Sequence, residues 1–193
     1  MHRRDALKTI AAGAATTGLW VQQLSALAEV QADHLHTALA AAQTAGGWVA
    51  KVLDRHQQQT VAVLAELIIP QTDTPGAKAA LVDRFIDGLL QTATAADRQK
   101  FISGLRRLDA RSRALFRSDF LTATPAQQTD LLTRLSAEGS AESRELVDFF
   151  AAMKSMTITG YYTSEIGMRD ELGDNGQLFL PSYDGCTHPE HQR

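Results

Sequence analysis

The stretch DRQKFISGLRRL, residues 97–108, decides the fold class. Phe101, Ile102, Leu105 and Leu108 recur at steps of three and four, the spacing of one face of a helix with about 3.6 residues per turn. The positions between them hold charged or small residues, so the segment reads as an amphipathic helix with one buried face. Toward the amino terminus, Leu81, Phe85, Ile86, Leu89 and Leu90 repeat the pattern. Before them, Val49, Val52 and Leu53, then Val61, Leu64, Leu67 and Ile68, predict helical structure from Trp48 onward. Pro70 stops that run, and Gln71 to Gly76, with Pro75 inside, form a turn. Toward the carboxyl terminus, the helix that begins at Asp97 is expected to continue through Leu115, Phe116 and Phe120.

Two more helices follow. Thr124-Pro125-Ala126-Gln127 combines a capping Thr, a Pro at the first helical position and a Gln three residues after the cap. Leu131, Leu132 and Leu135 give that helix its apolar face, and Gly139 is expected to end it. From Ser140 a last long helix buries Leu146, Phe149, Phe150, Met153 and Met156. No segment alternates with a period of two, and no repeat of fixed length occurs. The fold class is all-α, an irregular bundle of about five or six helices with a long irregular C-terminal tail.

The chain opens with MHRRDALKTIAAGAATTGLWVQQLSALA, residues 1–28. Arg3 and Arg4 precede a weakly apolar stretch from Ile10 to Val21, and Ala26-Leu27-Ala28 forms a small-x-small cleavage site. These are the parts of a secretory signal, and the paired arginines give it twin-arginine character. The positions usually held by Ser or Thr and by an aromatic hold His2 and Ala6. An ordinary basic start to a soluble helix is the plainer reading. A membrane span needs about 20 apolar residues, and Gln22 and Gln23 cut the run short. The expected division is a signal over 1–28, a linker or weak helix over 29–47, a helical domain over 48–170 and an irregular docking tail over 171–193.

The whole chain carries a net charge of −3, and the first 28 residues hold more positive than negative groups. What remains after cleavage is therefore more acidic still, a poor match for nucleic acid. The basic run Arg106, Arg107, Arg111, Arg113 and Arg117 is interrupted by Asp109 and apolar residues and reads as a solvated helix face. Cys186 is the single cysteine, so no intramolecular disulfide can form. In an exported chain an odd cysteine suggests an intermolecular bond, a free thiol or a ligand, beside plain burial.

Catalytic motifs are missing: no Gly-rich strand-to-helix turn, no Cys-x-x-Cys-His, no His-Glu-x-x-His and no Gly-x-Ser-x-Gly occurs. A four-cysteine iron–sulfur site is excluded by the cysteine count. No catalytic, cofactor-binding or metal-ligating residue is therefore assigned. The strongest ligand cluster is Cys186, His188 and His191, which suits zinc or copper in residue type but lies at the terminus. His34 and His36 form a weaker pair. Glu165 is an acid or base with no nucleophile or second carboxylate beside it in the sequence. Tyr161 and Tyr162 are neighbours, and adjacent helical residues point about 100° apart, so at least one should meet a loop, a ligand or a partner. The tail carries Leu178, Phe179, Leu180 and Tyr183 among glycines and prolines. Irregular segments beyond about 12–15 residues are usually functional or disordered, and this aromatic content favours docking, on its own bundle or on a partner. Tyr161, Tyr162, Phe179 and Tyr183 are the expected interface residues.

Several segments in order carry a family resemblance: Leu64-Ala-Glu-Leu-Ile-Ile-Pro70, Thr72-Asp-Thr-Pro-Gly-Ala77, Phe85-Ile86-Asp87, Phe149-Phe150, Gly160-Tyr-Tyr-Thr-Ser-Glu165 and Tyr183-Asp-Gly-Cys186. Over roughly residues 50–187 the chain resembles the small third subunit of membrane-bound gluconate 2-dehydrogenase and related flavoprotein sugar dehydrogenases. The resemblance implies a non-catalytic partner of an FAD-dependent catalytic subunit of the glucose–methanol–choline type, often joined by a cytochrome c. It implies that this chain assists folding of the catalytic subunit and carries it through the twin-arginine translocase to the periplasm, where the complex is membrane-associated. FAD is then expected on the partner and no cofactor here. Two other readings stay open: a small periplasmic metal-binding or redox protein using Cys186, His188 and His191, and a free-standing periplasmic chaperone.

Overall fold

A single buried carboxylate sets where the first helix begins. In the computed structural model, which describes residues 48–137, 140 and 142–176, Asp87 is 1% exposed. It accepts backbone N–H bonds from Lys51 (2.7 Å), Val52 (3.0 Å) and Leu53 (2.9 Å). Those donors are thereby fixed in a non-helical segment, and the guanidinium of Arg84 lies 5.2 Å from the Trp48 ring beside it. The helix expected from Trp48 is therefore corrected: α1 runs Arg55–Ile68. Asp54 caps it, accepting from Gln57 N–H at 2.8 Å while the Gln57 side chain accepts from Asp54 N–H at 3.1 Å.

Ile69 and Pro70 end α1, and the turn at 71–76 is as the sequence predicts. α2 spans Val82–Thr92, entered through Leu81 in the left-handed region at φ 55°. Its last carbonyls are covered by Arg98, whose guanidinium donates to Leu90, Gln91 and Ala93 oxygens. α3 spans Ala95–Phe116 with Thr94 as its cap. It does not continue to Phe120: Arg117 takes φ 63° and the chain turns away. Phe120 is nevertheless fully buried, its N–H held by Asp109 at 3.0 Å and its carbonyl by the Gln128 amide at 2.8 Å. Asp109 also pairs with His56 Nε2 at 2.6 Å, which ties α1 to α3.

α4 spans Pro125–Ser136 and has the full capping box read from Thr124 and Gln127. It stops at Ser136, before Gly139, which lies outside the described residues. α5 spans Arg144–Tyr162, starting four residues later than Ser140, with Ser143 in extended backbone at the N-cap position. A π-helical turn, Ile166–Glu171, follows at the end of the expected helical domain. The described residues contain helices and no strand, as the all-α reading requires.

α5 is the central element, packed against α1, α2, α3, α4 and the π-helical turn. Its Leu146, Phe149, Phe150, Met153 and Met156 are all buried, as the sequence predicts. A Cβ on Gly104 of α3 would lie 2.2 Å from the Phe149 ring, so the glycine is what lets the two helices approach. Phe149 then meets Phe101 with ring centroids 5.3 Å apart. Burying each such large side chain stabilises the bundle by about 1.5–3 kcal/mol.

Candidate partner-docking surface

Three of the segments quoted for the resemblance, 64–70, 72–77 and 160–165, meet at one end of the bundle. Glu66 on α1 turns its carboxylate to the following loop and accepts from Gln71 N–H and Lys78 N–H, both at 2.9 Å. A Cβ at Gly76 would sit 2.5 Å from that carboxylate, so only glycine fits there. The loop so held presents the Pro75 carbonyl to the hydroxyl of Tyr161, which donates to it at 2.7 Å. Gly160 packs its bare backbone on Phe85 of α2, where a Cβ would come within 2.7 Å of the ring.

The end of α5 passes into the π-helical turn through Ser164. Its hydroxyl donates to the Tyr161 carbonyl at 2.6 Å and accepts from Gly167 N–H at 3.1 Å. A Cβ on Gly167 would be 1.9 Å from the Tyr161 oxygen, so this close return of the chain requires glycine. Glu171 at the end of the turn accepts from the Thr74 hydroxyl at 2.6 Å and joins it to the 71–76 loop. Loop, helix end and turn are thus one cross-braced platform.

The platform separates the two tyrosines. Tyr161 is 0% exposed and belongs to the chain's own core, so its ring is not itself surface. Tyr162 is half-buried and meets it edge-on at 5.2 Å. The interface expectation therefore narrows, within the described residues, to Tyr162. Two residues not singled out in the sequence join it at this end: Met168 on the π-helical turn, at 36% exposure, and Leu172 just after it, at 60%. At 100° per residue both extend the buried face of α5, so spacing alone would read them as core; the π-helical turn leaves them exposed. Glu165 is exposed and paired with Arg169 at 2.9 Å, with no arrangement for acid–base chemistry around it.

Phe179 and Tyr183 lie outside the described residues, as do Arg3 and Arg4 of the signal, His34, His36, Cys186, His188 and His191. Among the described residues no group of three or more His, Cys, Asp or Glu could hold a metal ion. None of the described helices is long and apolar enough to cross a membrane.

Elsewhere in the bundle three cations have shifted pKa values. Glu142 bonds the Arg111 guanidinium at 2.6 Å and holds its pKa above the ordinary value. Asp119 does the same for Arg113. Burial lowers the Lys154 amine, which lies 5.1 Å from the Phe150 ring.

Comparison with known proteins places this architecture. A family model described as Gluconate 2-dehydrogenase subunit 3 matches residues 55–176, well over half of the chain. The matched span opens at the first residue of α1 and includes each segment quoted for the resemblance except Tyr183–Cys186. No curated protein and no solved structure matches the chain.

Proposed function

The chain belongs to the family of gluconate 2-dehydrogenase subunit 3, and on that premise we propose that it is a non-catalytic accessory subunit of a periplasmic sugar dehydrogenase complex. Its partner is an FAD-dependent catalytic subunit of the glucose–methanol–choline type, which a cytochrome c often accompanies. This chain assists folding of that subunit and brings it through the twin-arginine translocase. The family match carries the reading. The paired Arg3 and Arg4 at the start of a chain without a flavin or haem motif agree with it, because a folded-export signal suits a cofactor carried by a partner. The braced platform with Tyr162, Met168 and Leu172 at its edge is the contact we assign to the partner. Aromatic and Met side chains are enriched at such contacts, where they bury large area.

Replacing Arg3 and Arg4 together by lysine tests the export role. Fractionated cells should lose the catalytic subunit from the periplasm together with this chain. A catalytic subunit that reaches the periplasm undiminished, without a signal of its own, overturns it. Metal analysis of the purified chain weighs the competing reading: stoichiometric zinc or copper bound through Cys186, His188 and His191 would favour a metal-binding protein.

A further inference from the structure

The outer face of α3 is chemically unlike the rest of this acidic chain. Within Ala95–Phe116 the acidic residues Asp97 and Asp109 are both buried, while Lys100, Arg106 and Arg107 face solvent. Arg98, Arg111 and Arg113 have structural partners in the α2 carbonyls, Glu142 and Asp119. Arg106 and Arg107 form no ion pair among the described residues. They line a groove of about 500 Å³ with Lys100 and Gly104 on the α3 side and Glu145 and Asp148 on the α5 side. The groove follows the line where Gly104 draws Phe149 of α5 against the α3 backbone. Asp148 is paired with Arg144 at 3.0 Å, whereas Glu145 is exposed and unpaired among the described residues.

We propose that this groove is a second docking site, for a polypeptide segment of the partner that presents carboxylates to Arg106 and Arg107. Charge complementarity selects the occupant. An anionic membrane surface or a nucleic acid is uniformly negative and would meet Glu145 on the facing wall with repulsion. A polypeptide segment can place acidic groups toward one wall and a donor or cation toward the other. The groove is concave, which fits an extended segment better than a flat bilayer. The inference rests on the accessory-subunit reading only in requiring a protein partner. It adds a charge-reading contact on a different face from the apolar platform.

The test uses the full chain, tagged and isolated together with its flavoprotein subunit from the cells that make it. Zero-length carbodiimide coupling of the isolated complex should join Lys100 to a carboxylate of the partner. The double variant R106E/R107E should lose that cross-link and retain about tenfold less partner at low salt, with the difference shrinking as salt rises. Circular dichroism checks its fold, and R106Q/R107Q replaces it if the helices are disturbed. A flavoprotein retained equally by the variant at every salt concentration overturns the groove and leaves the accessory-subunit reading intact. A different protein, cross-linked at Lys100 and lost with R106E/R107E in place of the flavoprotein, overturns both the proposal and that reading. Wild-type chain that isolates alone overturns both. Loss of binding to vesicles of anionic lipid, with partner retention unchanged, assigns the face to membrane and overturns the proposal.

Discussion

The end of the bundle around Tyr161 and the outer face of α3 differ in how their polar groups are used. At the first, three side chains are committed to backbone targets: Glu66 holds two loop N–H groups, Tyr161 holds Pro75 and Ser164 bridges the chain end. Three glycines there, Gly76, Gly160 and Gly167, sit where no Cβ would fit. On the second face, Arg106 and Arg107 are exposed and have no ion-pair partner among the described residues. The lesson is that the segments carrying the family resemblance mostly build the scaffold. The surfaces proposed for a partner lie at the edge of that scaffold, at Tyr162, Met168 and Leu172, and on the outer face of α3.

The largest expected break in that contrast is at Asp87. Replacing it by Ala removes a buried acceptor of three backbone N–H bonds. Hydrogen bonds to a charged group are individually strong, and freed buried donors add a desolvation cost, so the loss should be about 3 kcal/mol or more. Urea unfolding monitored by circular dichroism would show it. A loss below about 1 kcal/mol would mean that the Trp48–Leu53 segment is not held as described.

The adjacent tyrosines sharpen the contrast at smaller scale. Tyr161→Phe deletes the hydroxyl bond to Pro75 and should cost about 1 kcal/mol of stability while leaving partner binding unchanged. Tyr162→Ala should lower stability too, because its ring packs on Tyr161, but unlike Tyr161→Phe it should also weaken co-purification of the folded chain with the catalytic subunit. Equal behaviour of the two variants in both measurements would show that the platform does not divide core from contact.

The smallest effect is expected at Lys154, and its sign is opposite. Burial lowers this amine from the ordinary 10.5, so the protonated form is disfavoured in the folded chain. Below the lowered folded value the penalty is fully present. It is relieved as pH rises through that value toward the unfolded one, and stability rises with it. The contact with Phe150 offsets part of the penalty. Lys154→Met should therefore stabilise the neutral-pH protein by about 1 kcal/mol or less and flatten the alkaline rise. A lowered thermal midpoint at neutral pH would contradict this.

How legible the protein was depends on the range of the interaction. Helical periodicity named the buried faces of α2, α3, α4 and α5 because each face is set within a few turns. The Thr124 capping box was legible for the same reason, since its partners are three residues apart. The start of α1 was misread because its competitor, Asp87, lies more than thirty residues away in sequence. α3 was read too long because Phe120 is apolar and buried, yet its burial follows a left-handed turn at Arg117 instead of another helical turn.

By itself the sequence determined an all-α chain, the order of its helices, a family resemblance and the absence of enzyme motifs. Those properties rest on local spacing and residue type. Only the tertiary structure decided which of two adjacent tyrosines is core. It also decided that Glu66 and Asp87 are braces, that Met168 and Leu172 are exposed, and that Arg106 and Arg107 line a groove with Glu145. The physical reason is that a side chain's role depends on what the fold brings against it. Here Tyr161 is locked by Pro75, eighty-six residues away, and no local pattern records that meeting.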